Sequence, residues 1–314
     1  MKLVTLPASL DERSFDTLVR GIEGDPGQRR LFDGSHVRWA DPYGMIGLLA
    51  VGTVAGRTAE RPLFRLPELP EVVSYMTRMG FFEHAADLFE FHGTARRARP
   101  DGASDVLLEI TAINSHADVH AVVDLVNERG MAILTRQLHY PPREAFQFSV
   151  VLSEVCQNII EHAESGGWVA TQTYTWKKRL AGRRVVVIAV MDLGIGFRES
   201  LSATQAARHP EGAGRFSDAT ALEAAFLHGQ TRFHDPGRGQ GLQQIRKQVG
   251  RWNGRVSIRS GTARIADVPD WDDSPPLEEH LPFLTGAQIG IILPARVEAD
   301  PLTMPGTARK GETN

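Results

Sequence analysis

The seven residues 185–191, VVVIAVM, read as a nearly continuous apolar β-strand, and a strand of that kind belongs at the centre of a sheet. Directly at its end the chain runs Asp192-Leu193-Gly194-Ile195-Gly196-Phe197. The two glycines let the backbone bend and let a flat ligand approach without a β-carbon in the way. A carboxylate at a strand end accepts hydrogen bonds only, which suits an exocyclic amino group such as that of adenine. Taken alone, the motif reads equally well as a plain turn after a strand.

Two other stretches decide between these readings. Upstream, residues 148–164, FSVVLSEVCQNIIEHAE, carry a helical period, started by Pro141-Pro142. Leu152, Val155, Cys156, Ile159, Ile160 and Ala163 make one broad apolar side, and Glu154, Asn158 and Glu161 fall together opposite it. Downstream, Gly237-Arg238-Gly239-Gln240-Gly241-Leu242 leads into helical character at 243–249. Glycine-rich backbone feeding a helix N-terminus offers free N–H groups and a positive dipole to an anion. The spacing is GxGxG after a loop, which disfavours a dinucleotide-binding turn, and no GxxxxGK[ST] run is present. Residues 198–236 between the glycine motifs read as a long loop with one helix at 218–227, a length usually tied to function or motion. Together the three pieces read as one nucleotide site, with the polar helix face turned into a cleft.

The rest of the chain frames that site. Strands at 3–7, 36–40 and 62–66 alternate with helices at 14–22, 45–54 and 70–79, which implies a small α/β layer domain with a partly parallel sheet. Thr94-Ala95-Arg96-Arg97-Ala98-Arg99-Pro100 and the polar residues after it read as a linker. Further strands are expected at 106–110, 168–176, 255–260 and 288–293, with an amphipathic run at 116–137. The hydrophilic insertion 267–280 reads as an acidic surface loop. A single cysteine, Cys156, excludes an intramolecular disulfide and a multi-cysteine zinc site, and its place on the apolar helix side makes it a structural thiol. His116 and His120 share a helical face but lack a third ligand with metal spacing. A formal net charge of −3 gives no general pull toward nucleic acid or an anionic membrane. With no apolar stretch of membrane-spanning length and no signal-peptide pattern in MKLVTLPASLDERSF, a cytoplasmic protein is expected.

The order ExxxN on a helix, DxGxGF after a strand, a lid, then GxGxGL and a helix resembles the GHKL family of ATPases and kinases, closest in style to the anti-sigma factor serine kinases. The resemblance covers about 104–296 and implies a Bergerat-fold α/β sandwich, a mixed sheet with helices on one face. It implies ATP and Mg²⁺ as ligands. Asn158 would then bind the metal and Glu154 would be the general base. Asp192 would hold the adenine amino group, with Gly194, Gly196 and Phe197 shaping the base pocket. Gly237, Gly239, Gly241 and Leu242 would carry the lid and cradle phosphates. Thr285 precedes a glycine where the family's last strand has Gly-Thr, so a contact from it is not implied.

The element order of the first hundred residues, with HVRWADPYGMIGLL, resembles the STAS domain of anti-sigma factor antagonists, but Asp41-Pro42-Tyr43-Gly44 lacks the serine of that family's phosphorylated turn. The expected organisation is a STAS-like interaction domain at 1–95, a linker at 96–104, a GHKL domain at 105–297 and a flexible tail at 298–314. The function these resemblances imply is an ATP-gated regulatory switch of bacterial signalling, with slow ATPase or protein serine kinase chemistry. The alternative is a nucleotide-gated scaffold without turnover. No phospho-acceptor H-box precedes the ATP motifs, which sets a histidine kinase behind both. The implied partner is a regulatory protein of the sigma-factor or STAS type, and a homodimer is compatible with it.

Overall fold

A computed structural model describes residues 1–57, 60–92, 106–162, 166–208, 216–230 and 241–296, leaving aside the side chains of 106, 129, 158–162 and 203–208. The expected linker 96–104 and tail 298–314 lie outside the described residues.

The architecture is α/β, with an N-terminal parallel sheet and helices followed by a seven-strand antiparallel sheet with helices packed on it. In the first part, β1 (Lys2–Thr5), β3 (Arg30–Asp33), β5 (Leu63–Arg65) and β6 (Glu90–His92) pair in that order, all parallel. A minor bridge joins β2 (Ser9–Leu10) to β4 (Trp39–Ala40). Between them lie α1 (Phe15–Ile22), α2 (Pro42–Gly56), α3 (Pro70–Arg78) and α4 (Phe81–Ala85). The strand expected at 36–40 is only the short β4, and β3, β6 and α4 were not foreseen. Burial alternates along Arg30–Asp33, with Arg30 and Phe32 buried, although the residue types RLFD show no alternation of apolar and polar side chains.

Helix α2 is apolar all round, and only Thr53, Val54 and Gly56 escape burial. Such a helix needs cover on every side. Asp41 caps it, accepting from Gly44 N at 2.8 Å, and Pro42 occupies its first turn. The residues of α2 share one continuous cluster with Phe32 and Phe64 of the parallel sheet and with Ala170, Ala189 and Met191 of the second sheet.

That second sheet has the order β12-β11-β10-β13-β9-β8-β7. Its strands are β7 (Val106–Ile113), β8 (Gly167–Trp176), β9 (Arg183–Asp192), β10 (Arg255–Gly261), β11 (Ala263–Asp267), β12 (Leu277–Glu278) and β13 (Leu284–Pro294). All its pairings are antiparallel, where a mixed sheet was expected. The short β8–β9 and β10–β11 connections allow no other direction. The apolar run in β9 is interior, between β13 and β8, with β13 at the centre.

Alternation splits the side chains between the faces. Val186, Ile188, Val190, Val256, Ile258, Ile289 and Ile291 enter one core, beneath α5 (His116–Leu125), α6 (Met131–Arg136), α7 (Pro142–His162), α8 (Gly196–Arg208), α9 (Asp218–Phe226) and α10 (Gly241–Arg251). A π-turn at Val126–Gly130 joins α5 to α6 within one helical run. Helix α8 replaces the first part of the expected loop. Cys156 lies fully buried on α7.

The other face meets the N-terminal part. It is apolar under α2, and toward β10 and β11 it carries Arg255, Arg259 and Arg264. Glu12 pairs with Arg255 at 2.6 Å, Asp16 pairs with Arg259 at 2.8 Å, and Arg264 pairs with Asp16 and Glu278. Insertion 267–280 lies at the surface as expected, with Asp270, Asp273 and Glu279 exposed, and part of it folds back onto this face. The Asp272 carboxylate is 1% exposed and accepts from Arg179 at 2.8 Å. Trp271 donates to Asn253 O at 2.8 Å and meets Trp176 edge-on.

Candidate nucleotide site

Strand β9 delivers Asp192 to the rim of the sheet, where its side chain is buried, with 8% of the residue exposed. Its Oδ1 accepts from Gly194 N at 2.9 Å and Ala287 N at 3.3 Å. Its Oδ2 accepts from none of the described residues. Burial pushes this carboxyl up to about 6, and the two backbone N–H groups offset part of that rise. A buried carboxylate with one oxygen left over is poised to accept a hydrogen bond from outside the protein.

Small residues of the turn, β10 and β13 pack closely around this rim. Gly286 has φ +80°, and a β-carbon there would stand 2.7 Å from Asp192 Oδ1. Gly196 has φ +72°, and its β-carbon would stand 2.7 Å from Ser260 Oγ. Both positions need glycine for conformation and for space. Ser260 Oγ accepts from Phe197 N at 3.2 Å and donates to Gly286 O at 2.7 Å, while Thr285 Oγ1 donates to Gly194 O at 2.5 Å. The DLGIGF turn is thus fastened to β10 and β13 on both sides of the carboxylate.

Helix α7 supplies the second element. Its apolar side, with Leu152, Val155 and Cys156, packs into the core of the sheet, which turns the half-buried Glu154 toward α10. A β-carbon on Gly241 would lie 2.8 Å from Glu154 Oε2. The carboxylate therefore reaches the first residue of an eleven-residue helix, at its positive end. Phe197 and Leu242 both pack against the cluster of Leu201, Phe216 and Ala221, so the second and third motifs meet through their apolar residues. Arg246 fixes α10 by pairing with Asp267 at 2.8 Å and donating to Phe226 O at 2.9 Å.

Of the residues singled out in the sequence, Asp192, Gly194, Gly196 and Phe197 form this rim, Glu154 meets Gly241, and Phe197 and Leu242 pack against one cluster. Asn158 lies one turn beyond Glu154 on α7, with its side chain outside the described residues, as are those of Glu161 and His162. Gly237 and Gly239 lie outside them altogether. Sequence reasoning missed Ser260 and Ala287 and left Thr285 without a role. All three act through backbone or hydroxyl contacts across 63 to 95 residues of chain, for which small residues carry no signature.

Among the described residues no group of three His, Cys, Asp or Glu side chains could hold a metal ion. No helix among the described residues is long and apolar enough to cross a membrane. Compared with known proteins, the chain matches no protein-family model and no curated protein.

Proposed function

We propose that this chain binds ATP with Mg²⁺ at the Asp192 rim and uses it as a regulatory switch of the GHKL kind, with slow hydrolysis or transfer of the γ-phosphoryl group. The observation that carries this reading is the buried Asp192 carboxylate at the end of β9, with one oxygen accepting from none of the described residues. A planar base carrying an amino group fits that combination. The free oxygen accepts from the amine, and glycine at 196 and 286 lets the turn and β13 close against the carboxylate without displacing it.

Glu154 supports the chemical half. It stands at the N-terminus of α10, where the helix dipole and free N–H groups favour phosphate. From there its carboxylate takes the proton of the attacking water or protein hydroxyl. Bound Mg²⁺ supplies charge neutralisation on the phosphates, with Asn158 as its protein ligand.

Titration with a non-hydrolysable ATP analogue, followed by phosphate release from wild type and Glu154→Gln, tests this. Expected are saturable, Mg²⁺-dependent binding by both proteins and turnover reduced about 10²- to 10⁴-fold in the variant. No binding by wild type sinks the site assignment. Binding without turnover in either protein leaves a nucleotide-gated scaffold.

A further inference from the structure

On the opposite face of the seven-strand sheet, a half-open cleft of about 660 Å³ separates the N-terminal part from the β8–β9 hairpin and the folded-back insertion. Its volume lies in the range of small-molecule sites. Val187 and Ile292 form an apolar floor, and aromatic side chains stand over it from two directions: Trp39 from β4, Tyr174 and Trp176 from β8. Trp39 is 43% exposed although its ring meets Tyr174 edge-on, so the indole keeps accessible surface at the cleft.

The charges around the cleft decide what it would accept. Six basic and six acidic residues line it, and most cancel in pairs. Glu12 is taken by Arg255, Glu278 by Arg264, Asp272 by Arg179 and Asp273 by Arg13. The last two acids are occupied inside the N-terminal part. Asp11 accepts from Ser9 Oγ at 2.6 Å and Ser14 N at 3.1 Å, and Asp41 caps α2. Lys177 and Lys178, at the hairpin, have no carboxylate partner among the described residues. The buried Nε donors of Arg255 and Arg264 in the cleft wall also lack a hydrogen-bond acceptor, with their nearest carboxylate oxygens at 3.8 and 3.9 Å. What the cleft leaves unpaired at its surface is the positive charge of Lys177 and Lys178, beside the accessible indole of Trp39.

We propose that this cleft is a second ligand site, for a small planar aromatic anion whose ring lies against Trp39 and whose acid group is held by Lys177 and Lys178. The arrangement is independent of the Asp192 rim. Val187 faces the cleft five residues before Asp192 on β9, which puts the two sites on the order of 17 Å apart along the strand.

The probe is 2-naphthoate, with 2-naphthylmethanol and 2-naphthylmethylammonium as neutral and cationic matches of the same ring. Calorimetry gives affinity, and the indole N–H resonances, assigned with Trp39→Phe and Trp176→Phe, report location. One-to-one saturable binding of naphthoate is expected, in preference to both matches, with the Trp39 resonance shifted. Lys177→Ala/Lys178→Ala, on an exposed turn, should weaken it about tenfold or more, the effect of removing charge-assisted contacts. Asp192→Asn, which alters only the proposed nucleotide site, should leave it unchanged. Absence of saturable binding, equal or tighter binding of the cation, affinity indifferent to the two lysines, or loss in Asp192→Asn would each overturn the proposal.

Discussion

Asp192→Asn separates stability from binding in a way that few substitutions at this site can. The wild-type carboxyl is buried and titrates at about 6 against an ordinary 3.8. That gap corresponds to about 3 kcal/mol of cost for keeping it ionised in the folded chain at neutral pH. Asparagine keeps an oxygen for Gly194 N and Ala287 N but removes the charge. Its amide NH₂ falls where Oδ2 stood and finds no acceptor among the described residues, a penalty of about 1 kcal/mol or more. The variant should therefore be more stable than wild type above pH 7 by roughly 1–2 kcal/mol, a rise in Tm of about 2–5 °C. The pH dependence carries the same sign. Between about 4 and 6 the folded carboxyl holds a proton that the unfolded one has released, so this group's contribution to stability falls as pH rises through that window and is level above it. The advantage of the variant should accordingly fade as pH drops from 7 to 4. ATP affinity should move the other way, falling about 10- to 150-fold, because a donor now faces the base's amino group and a charge-assisted hydrogen bond of roughly 1.5–3 kcal/mol is lost. Thermal melts from pH 4 to 8 and analogue titrations read both effects. A variant that is less stable at pH 8, or that binds ATP as wild type does, would refute the reasoning.

Three further substitutions probe the frame around the site. Gly286→Ala forces a β-carbon onto a backbone at φ +80° and against the Asp192 carbonyl, so a loss of roughly 3 kcal/mol or more in chemical denaturation is expected. Gly241→Ala presses only on the mobile end of Glu154; stability should change by about 1 kcal/mol or less while phosphate release drops at least as far as analogue binding. Glu12→Gln breaks the buried pair with Arg255 and should cost about 3–5 kcal/mol at pH 7, with Glu12→Leu/Arg255→Met recovering much of it. Burial opposes ionisation of Glu12, but Arg255, Arg264 and Ser257 outweigh it and hold its carboxyl below the ordinary range. Its stabilising contribution is therefore complete above the unfolded value and disappears as pH falls through the lower folded one, a loss that acid titration of wild type but not of the variant should show.

Elements with strong periodicity were legible in the sequence: α7, α9 and α10 by their apolar sides, β8 and β9 by alternation or a continuous apolar run. What escaped was set by tertiary neighbours. Helix α8 begins at the second glycine of the DLGIGF turn and has a polar sequence, and among its described side chains, 196–202, only Leu201 is buried, so no helical stripe announces it. Strands β11 and β12 are defined by pairing with β10 and by the insertion folding back. Glu154 stood out by sharing a polar face with Asn158 on an otherwise apolar helix, and Asp192 by its place between an apolar strand and a glycine-bearing turn. The Ser260 and Ala287 contacts were hidden because they depend on register between strands far apart in sequence. One signal was overlooked: Arg255, Ser257 and Arg259 alternate with Val256 and Ile258 in β10, a strand with one charged face that had to be met by acids elsewhere.

Those acids come from the N-terminal part, and this bears on how a switch in this chain could work. A detachable interaction module would be expected to leave behind a solvated face. Here separation would uncover Ala170, Ala189 and Met191, strip α2 of cover on that side, and leave Arg255, Arg259 and Arg264 without Glu12 and Asp16. Tyr43, in the turn that resembles the phosphorylated one of STAS domains, is 2% exposed with its hydroxyl buried and unpartnered, so the folded chain does not present it to a kinase. The N-terminal part is thus a standing layer of the sheet. Met191 and Leu193, on either side of Asp192, both belong to the cluster built around α2, and so does Leu284 at the start of the strand that supplies Ala287 N. The packing of the N-terminal layer therefore fixes the backbone on both sides of the carboxylate proposed to hold adenine. On that reading, a shift of α2 against β9 would alter nucleotide binding directly, with no need for the layer to leave.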